Sequence, residues 1–306
     1  MTDMNDKKPF VSIIIPTFNG RELTLECLDS INRLEYPKDR LEVIISDSCS
    51  NDGSPDAVRR KFDEMKGAGY RKLQLIESAV DNGAPAAYNR GVKASDPETK
   101  YFWHIDNDVV MDEDYLKVLI EDAEHDPKVG IICGKVVNYK NPKVHQHTAG
   151  YVNRFTGRLV AREAKERTAC DYAAGCGYLI KRKVMDKLGG LVEEYFIYGD
   201  DIDFCLKAKK LGYEVVCNPK TTMKHRWSAT MGLMNKKSRY YDVRNKFLLI
   251  RNFGLLSSVI FNAYFFLVYT PYYMARALLK HRNTWEADIW WKAVSDYYAN
   301  RLGRRI

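Results

Sequence analysis

Sequence features that mark several well-known protein classes are missing from this chain. Its seven cysteines include no Cys-x-x-Cys pair and their number is odd, so we expect neither a zinc ribbon nor a disulfide framework. The pattern indicates reduced thiols in a cytosolic compartment. No apolar stretch precedes Phe10, and we therefore expect no secretory signal. Gly-x-Gly-x-x-Gly does not follow the first apolar run and no P-loop motif occurs, which disfavours a dinucleotide cofactor and a P-loop NTPase.

Acidic residues become scarce after residue 220, and this determines the charge of the chain. The 306 residues carry a formal net charge of +8. Residues 220–252 contain nine Lys or Arg and one Asp, whereas residues 1–219 contain 32 basic and 36 acidic residues. The chain is therefore a slightly acidic body followed by a strongly basic segment. With 45% hydrophobic and 29% charged residues, it has the composition of an ordered globular protein.

Charged residues are absent from residues 254–275. As a helix, these 22 residues would be about 33 Å long, close to the hydrocarbon thickness of a bilayer. Because the segment is apolar on nearly all helix faces, it must be buried in protein or lipid. We favour in-plane or hairpin association with a membrane, with a true span or a dimer interface as alternatives. Trp285, Trp290 and Trp291 would then suit the membrane–water interface.

Apolar β-branched runs alternate with helical patterns over the first half of the chain. The predicted strands are residues 11–16, 41–46, 73–76, 101–105 and 129–137. The helical patterns between them cover residues 23–31, 57–65, 84–94 and 115–123. This alternation predicts an α/β fold with a mostly parallel, doubly wound sheet. Residues 140–170 follow no clear pattern, and strands at 177–180 and 213–217 flank a helix at 200–210.

Acidic residues follow the predicted strands. Asp47 ends the second strand, Asp106-Asn107-Asp108 follows the fourth, and Asp200-Asp201 comes later. Ligands of open α/β sheets bind at the carboxyl ends of the strands. Two carboxylates spaced two residues apart in an extended segment can reach one cation, and Mg²⁺ and Mn²⁺ prefer such oxygen ligands. An isolated Asp-x-Asp is more often a solvated turn, but its place after an apolar strand favours metal binding.

Several motifs occur in an order that resembles the family 2 glycosyltransferases of GT-A fold, especially rhamnosyltransferase-like members. They are VSIIIPTFN (11–19) with EVIISDSCSNDGS (42–54), NGAPAAYNRG (82–91), DND (106–108), and GGLVEEYFIYGDDIDFCLK (189–207) followed by His225 and YYDVRN (240–245). The resemblance covers roughly residues 9–252. It implies a GT-A catalytic domain at 1–252, with a nucleotide-binding half at about 9–110 and an acceptor half at about 111–252. A helical tail at 253–306 would follow.

The resemblance also implies roles for individual residues. Those that would bind the donor are Pro16, Thr17, Asn19, Asp47, Asn82, Asn89, Arg90 and Asp106. Asp47 would accept a hydrogen bond from a pyrimidine ring, so UDP or dTDP is favoured over GDP. The residues that would hold Mg²⁺ or Mn²⁺ are Asp106, Asp108 and His225. Asp201 would be the general base, with Asp200 beside it where the family usually has Glu.

The predicted reaction is inverting, metal-dependent transfer of a hexosyl or deoxyhexosyl group from a nucleoside-diphosphate sugar to a glycan hydroxyl. A divalent metal stabilises the leaving diphosphate, and a carboxylate takes the proton of the acceptor hydroxyl. One alternative is a polyprenyl-phosphate sugar transferase, whose ionised acceptor needs no base. Another is a sugar-1-phosphate nucleotidyltransferase, although the Gly-rich, Arg-containing loop of that class is absent here. A third is a non-catalytic sugar- or nucleotide-binding module.

The acceptor and location follow from the basic segment and the uncharged one. Both suit an anionic membrane surface and a lipid-linked glycan, so we expect a peripheral or monotopic protein on the cytoplasmic side of a membrane. A homodimer through the apolar segment is the alternative. No nucleic-acid-binding motif accompanies the basic residues, and we do not expect nucleic acid as a partner.

Overall fold

A ten-stranded mixed sheet forms the centre of the computed structural model, which describes residues 8–226, 235–280 and 285–306. Its strands are β1 (Val11–Thr17), β2 (Leu41–Ser48), β3 (Lys72–Ser78), β4 (Tyr101–Ile105), β5 (Val109–Met111), β6 (Val129–Asn138), β7 (His145–His147), β10 (Thr168–Ala169), β11 (Gly177–Lys181) and β12 (Glu214–His225). A separate antiparallel hairpin consists of β8 (Ala149–Val152) and β9 (Leu159–Arg162).

The predicted doubly wound α/β fold is confirmed. The strand order is β10-β12-β6-β11-β4-β1-β2-β3, and the strands β1 to β4 are parallel to one another. Strand β11 lies antiparallel between β4 and β6. The inner strands β1, β2 and β4 are buried along almost their whole length, which explains why they read as continuous apolar runs.

Helices pack on both faces of this sheet and continue into a tail. They are α1 (Arg21–Asn32), α2 (Ser54–Met65), α3 (Ala84–Ala94), α4 (Tyr115–His125), α5 (Arg182–Leu188), α6 (Asp200–Lys210), α7 (Lys236–Ile250), α8 (Gly254–Tyr264), α9 (Thr270–Lys280) and α10 (Trp285–Tyr298). The carboxyl ends of β1, β2 and β4 lead into short loops, so polar residues that follow these strands meet at one edge of the sheet.

Two stretches differ from the prediction. The strand predicted at 213–217 continues to His225 as β12, with a break in pairing between Cys217 and Thr222. Pro219 lies in this break and has no N–H to donate to a neighbouring strand. Residues 140–170, for which no pattern was found, contain the short strands β7 to β10. Strands of two to four residues are too short to produce a readable alternation.

Helix α7 and the helices α8 and α9 of the tail form a helical hairpin rather than one straight helix. Among the described residues, one helical run, Lys236–Ala275, is long and apolar enough to cross a membrane. Gly254 breaks it with a φ of 85°, and the rings of Phe247 and Phe265 lie only 4.6 Å apart. In a straight helix, 18 residues would separate them by about 27 Å. Helix α8 therefore folds back on α7, and a π-helical turn at Phe265–Tyr269 joins it to α9.

One face of α8 and α9 packs on the protein and the other is exposed. Phe261 and Phe265 are buried against α7 and α10. Trp290 is fully buried, so the prediction that it lies at a membrane interface is wrong, while Trp291 is 49% exposed. The exposed side is a continuous apolar stripe made of Leu255, Leu256, Val259, Ile260, Leu267, Val268 and Tyr272.

The basic residues of the segment 220–252 largely contact the protein itself. Arg226 pairs with Glu26, and Lys246 pairs with Asp242 at 2.8 Å. Arg244 is fully buried. The segment therefore carries less free positive charge than its composition indicates. Helix α7, which the predicted boundary at 252 places with the catalytic part, packs on α8 and α10 of the tail, and the division at 252 stays a prediction.

The backbone conformation of Gly83 gives a stability prediction. Gly83 has a φ of 89° and a ψ of 169°, and an added Cβ would lie 2.1 Å from the Phe196 carbonyl oxygen. Gly69 also has a positive φ, 84°, but nothing lies within 4 Å of its added Cβ. We expect Gly83→Ala to lower the free energy of unfolding by about 3 kcal/mol or more and Gly69→Ala by about 1 kcal/mol. Urea denaturation measures both, and equal losses would contradict the close packing at Gly83.

Candidate active site

A cavity of about 620 Å³ opens at the carboxyl ends of β1 and β4. The strand ends, the start of α6 and the end of β12 all contribute to its wall. Of the twelve residues predicted to form the site, seven line it: Pro16, Thr17, Asp106, Asp108, Asp200, Asp201 and His225. The fold therefore brings together groups that are nearly 210 residues apart in the chain.

Asp106, Asp108 and His225 form a cluster that can hold a metal ion. One ligand atom from each lies within 4.8 Å of the others, and His225 Nε2 is 3.2 Å from Asp108 Oδ1. The Asn107 side-chain amide between them donates to Thr24 Oγ1 at 2.9 Å, and both carboxylates belong to residues that line the cavity. His225 reaches the cluster because β12 pairs with β5, where His225 lies opposite Val109.

The charges of this cluster favour a divalent cation. Burial, together with the neighbouring Asp108 carboxylate, raises the pKa of Asp106 to about 7. Two carboxylates held this close are therefore unfavourable without a positive charge between them. Gln146 Oε1 lies 3.1 Å from His225 Nδ1 and orients the ring so that Nε2 faces Asp108. Two carboxylates and an imidazole are a donor set that suits Mg²⁺ or Mn²⁺.

Asp200 and Asp201 open helix α6 on the other side of the cavity. Burial raises the pKa of Asp201 to about 6, although backbone N–H groups of the first turn oppose this. Burial, and then the adjacent Asp201 charge, raises the pKa of Asp200 well above its usual range. At neutral pH, Asp201 is therefore ionised, and Asp200 is the harder of the two to ionise. Gly175 makes room for Asp201, since an added Cβ would lie 2.3 Å from its Oδ2.

Asp47 is buried just behind Thr17 in a fixed network. Its carboxylate accepts hydrogen bonds from Thr17 Oγ1 at 3.2 Å and from the Ser50 amide at 2.9 Å. Arg90 Nη2 donates to the Asp47 carbonyl at 3.2 Å. The backbone N–H of Asn19 donates to Ser50 Oγ at 2.7 Å. The side chains of Asp47, Asn19 and Arg90 thus form one rigid group beside the cavity, and their part in nucleotide binding stays a prediction.

Asn82 and Asn89 line a different cavity, of about 1240 Å³, on the far side of residues 189–194. Asn89 is buried there, and its side-chain amide exchanges hydrogen bonds of 2.9 Å with the backbone of Leu191. These contacts give Asn89 a role in holding α3 to the segment that precedes α6. A direct contact with donor remains a prediction for both residues.

Several residues that line the catalytic cavity were not identified from the sequence. Asp81 directly precedes the Asn82-Gly83 motif, and this position is the signal that could have identified it. Gln146 lies on β7, in the stretch without a readable pattern. Lys237 lies in the first turn of α7, with Nζ 5.0 Å from the centre of the Phe196 ring. It is the one Lys or Arg among the described residues that line this cavity, beside five aspartates.

Comparison with known sequences assigns the chain to a family. The profile described as glycosyl transferase family 2 matches residues 12–189, and the one described as glycosyl transferase family group 2 matches residues 101–294. The chain belongs to glycosyl transferase family 2. The first match includes the Asp47 and Asp106–Asp108 segments, and the second includes Asp201 and His225.

Two curated relatives share about a quarter of their aligned residues with this family 2 chain. Glycosyltransferase AglE from Haloferax volcanii is 25% identical over 213 residues, which cover 69% of this chain and 65% of the relative. Dolichyl N-acetyl-alpha-D-glucosaminyl phosphate 3-beta-D-2,3-diacetamido-2,3-dideoxy-beta-D-glucuronosyltransferase from Methanococcus voltae is 23% identical over 225 residues, 69% of this chain and 64% of the relative. The chain thus spans slightly less than two thirds of the length of these relatives.

The fold also matches solved structures. Mannosyltransferase PcManGT from Pyrobaculum calidifontis, solved in complex with GDP-Man and Mn²⁺, superposes with a TM-score of 0.63. The match covers 97% of this chain and 89% of that protein at 20% sequence identity. At this identity the likeness establishes the fold alone. The predicted GT-A fold with a C-terminal helical tail is confirmed.

The Asp106 carboxylate should affect stability in opposite directions without and with a bound metal ion. At about pH 8 in chelator, Asp106→Asn removes an unfavourable buried charge and should raise the free energy of unfolding by about 1–3 kcal/mol. The gain should shrink as the pH falls through about 7 towards 4, where the wild-type carboxyl becomes protonated. In Mn²⁺, the wild type should gain stability and the variant should not.

Denaturation with and without Mn²⁺ measures both effects. Asp63→Asn, which removes an exposed carboxylate paired with Lys66 at 2.6 Å, is the control and should leave the response to Mn²⁺ intact. Equal stabilisation of wild type and Asp106→Asn by Mn²⁺ would contradict a metal site at this cluster.

Proposed function

We propose that the protein is an inverting, metal-dependent glycosyltransferase that moves a sugar from a nucleoside-diphosphate sugar to a hydroxyl of a lipid-linked glycan. The observation that carries the proposal is the shared cavity. It contains the Asp106–Asp108–His225 cluster on one side and the ionised carboxylate of Asp201 on the other. A bound donor would lie between them. Family membership is consistent with this reaction.

The leaving diphosphate would bind where positive charge is available. A divalent metal held by Asp106, Asp108 and His225 would supply Lewis-acid stabilisation of the diphosphate when bound. Lys237 projects into the same cavity and would add a second positive charge close to the leaving group. Its position over the Phe196 ring holds the ammonium by a cation–π contact. The five aspartates of the cavity would otherwise repel a diphosphate.

Asp201 would be the general base. Its pKa of about 6 leaves it ionised at neutral pH, yet close enough to neutrality for efficient proton transfer from an acceptor hydroxyl. The base would act from the face of the sugar opposite the leaving diphosphate, so the anomeric configuration would invert. Burial and the adjacent Asp201 charge raise the pKa of Asp200, so Asp200 would be harder to ionise than Asp201 and would support it rather than act as a second base.

The nucleotide would bind on the β1–β2 side of the cavity. Pro16, Thr17 and Asn19 would form its wall, and the Asp47 carboxylate would accept a hydrogen bond from the N–H of a pyrimidine ring. UDP or dTDP is therefore the proposed nucleotide. Arg90 would act by holding the Asp47 backbone in place through its hydrogen bond to the carbonyl.

The roles of Asp200 and Asp201 can be separated by matched substitutions. Asp201→Asn removes the base and should lower kcat by at least about 10²-fold. Asp200→Asn replaces the carboxyl group that is harder to ionise, so its loss should stay within about tenfold. In the wild type, kcat should rise as the pH passes through about 6 and level off above it, because Asp201 must be ionised.

Steady-state transfer assays across pH measure all three values, and Mn²⁺-dependent thermal stabilisation by the donor verifies that each variant still binds it. Full activity of Asp201→Asn would contradict a hydroxyl acceptor. It would instead support transfer to a polyprenyl phosphate, since that acceptor is already ionised and needs no base.

A lipid-linked acceptor and a membrane surface fit the tail. The name of the Methanococcus voltae relative describes a dolichyl-phosphate-linked acceptor. The apolar stripe of α8 and α9 includes Leu255, Leu256 and Leu267, which are 82%, 71% and 77% exposed. A stripe of this kind on a helix that is packed on its other face suits insertion in the plane of a bilayer. We therefore propose that the chain is a peripheral or monotopic protein on the cytoplasmic side of a membrane.

Charged residues on the stripe should abolish this association. The double substitution of Leu256→Asp and Leu267→Asp should weaken binding to vesicles of phosphatidylcholine with about one fifth phosphatidylglycerol on the order of a hundredfold, since each leucine contributes about 1.5–3 kcal/mol when buried. Vesicle flotation measures the change. Leu211→Asp, at an apolar position 47% exposed beyond the end of α6, is the control and should leave binding unchanged. A wild-type protein that is monomeric and binds vesicles would exclude a dimer interface on this stripe. A wild-type protein that is dimeric and does not bind vesicles would support one.

A further inference from the structure

Residues 193–198 form the loop that leads into α6 and its two aspartates, and its backbone is strained. Phe196 and Tyr198 have φ values of 64° and 66°, which side-chain-bearing residues rarely adopt. Each such residue costs on the order of 1–3 kcal/mol unless its surroundings hold it in place. The 193–198 loop therefore depends on contacts from outside.

Two side chains of α7 provide most of those contacts. Arg244 Nη2 donates to the carbonyls of Glu194 and Tyr195 at 2.8 and 2.9 Å. The Asn245 amide donates to the Ile197 and Tyr198 carbonyls, both at 2.8 Å. These bonds satisfy four consecutive or near-consecutive carbonyls of the 193–198 loop. They also explain why this part of the otherwise basic segment is buried.

Residues 303–305, here called the strap, follow α10 and cross over this loop. The Gly303 amide donates to the Glu194 carbonyl at 2.9 Å, and Arg244 Nη1 donates to the Gly303 carbonyl at 2.7 Å. The Arg305 amide donates to the Tyr241 hydroxyl at 3.0 Å. The strap is thus hydrogen-bonded both to the 193–198 loop and to the helix that holds it.

The strap also reaches the other wall of the cavity. Arg304 Nη1 donates to the carbonyl of Asp81 at 3.1 Å, and Asp81 is one of the residues that line the cavity. The Phe196 carbonyl accepts a hydrogen bond from the Ala84 amide at 3.0 Å, close to the same point. Residues 81–84 and the 193–198 loop are therefore joined twice, once directly and once through Arg304.

We propose that the strap is a positioning element of the active site. It fixes the distance between the Asp81 wall and the start of α6, where Asp201 lies, and so sets the geometry of the base relative to the donor. This role rests on the proposed function for its effect on turnover. Its effect on the 193–198 loop is independent of any activity. A displacement of a reacting group by about 1 Å can cost on the order of 10² in rate, so the effect on turnover should be large.

The test compares the 306-residue chain with three altered forms: Arg304→Ala, Arg304→Lys and a deletion of residues 303–306. Arg301→Gln is the control, because Arg301 pairs with Asp296 at 3.0 Å at the end of α10 and contacts neither wall. Amide hydrogen exchange of residues 194–203 is the first measurement. Exchange there should rise by about tenfold or more in the deletion and less in Arg304→Ala, while β1 and β2 remain protected. Arg304→Lys and Arg301→Gln should resemble the wild type.

The second measurement is a kinetic comparison. Arg304→Ala should lower kcat by about tenfold with little change in the donor KM, and Arg304→Lys should restore most of it. Unchanged exchange in residues 194–203 of the deletion would overturn the proposal, as would equal loss of protection throughout the sheet, which would indicate a general stability role. An inactive wild type would count against the proposed function, whereas the exchange result would still decide the role of the strap.

Discussion

Hydrogen bonds from Arg244 and Asn245 to the backbone of residues 193–198 are the constraint on which the active site depends. They hold two residues with positive φ in place and so determine where Asp200 and Asp201 begin α6. A guanidinium buried among carbonyls is unfavourable unless every donor is paired, and the pairing here fixes three separate segments relative to one another. Helix α7 therefore links the start of α6 to the end of the tail, because Arg244 also donates to the Gly303 carbonyl.

Five aspartates line the cavity, so an anionic ligand would be repelled there unless cations are also present. Burial and the neighbouring Asp108 carboxylate raise the pKa of Asp106 to about 7, and Lys237 lines the same cavity. Burial raises the pKa of Asp201 to about 6 and that of Asp200 well above its usual range, so Asp200 is the harder of the two to ionise. Burial thus gives two adjacent carboxyl groups different pKa values. The aspartates of this cavity also contribute to the acidic balance of residues 1–219.

Local patterns in the sequence predicted much of this arrangement. The apolar strands β1, β2 and β4 and the acids after them could be located because each pattern lies within one short segment. The proximity of His225 to Asp108 follows from the pairing of β12 with β5 across more than a hundred residues, and the family resemblance alone pointed to it. The place of Gln146 in the cavity could not be predicted, because its strand β7 has only three residues and is defined by its pairing with β6. Composition does not reveal that Arg244 is buried or that Arg226 pairs with Glu26, so the free positive charge of residues 220–252 could not be predicted.

The central claim is metal-dependent transfer from a nucleotide sugar, and a donor screen tests it most directly. The protein would be incubated with UDP-, dTDP- and GDP-linked sugars, with Mn²⁺ or with chelator, and the released nucleoside diphosphate would be measured. We expect turnover of one pyrimidine-linked sugar, with thermal stabilisation by that donor, in Mn²⁺ only. Release that is independent of metal would contradict the role of the Asp106–Asp108–His225 cluster. Neither turnover nor stabilisation with any donor would contradict the enzymatic assignment.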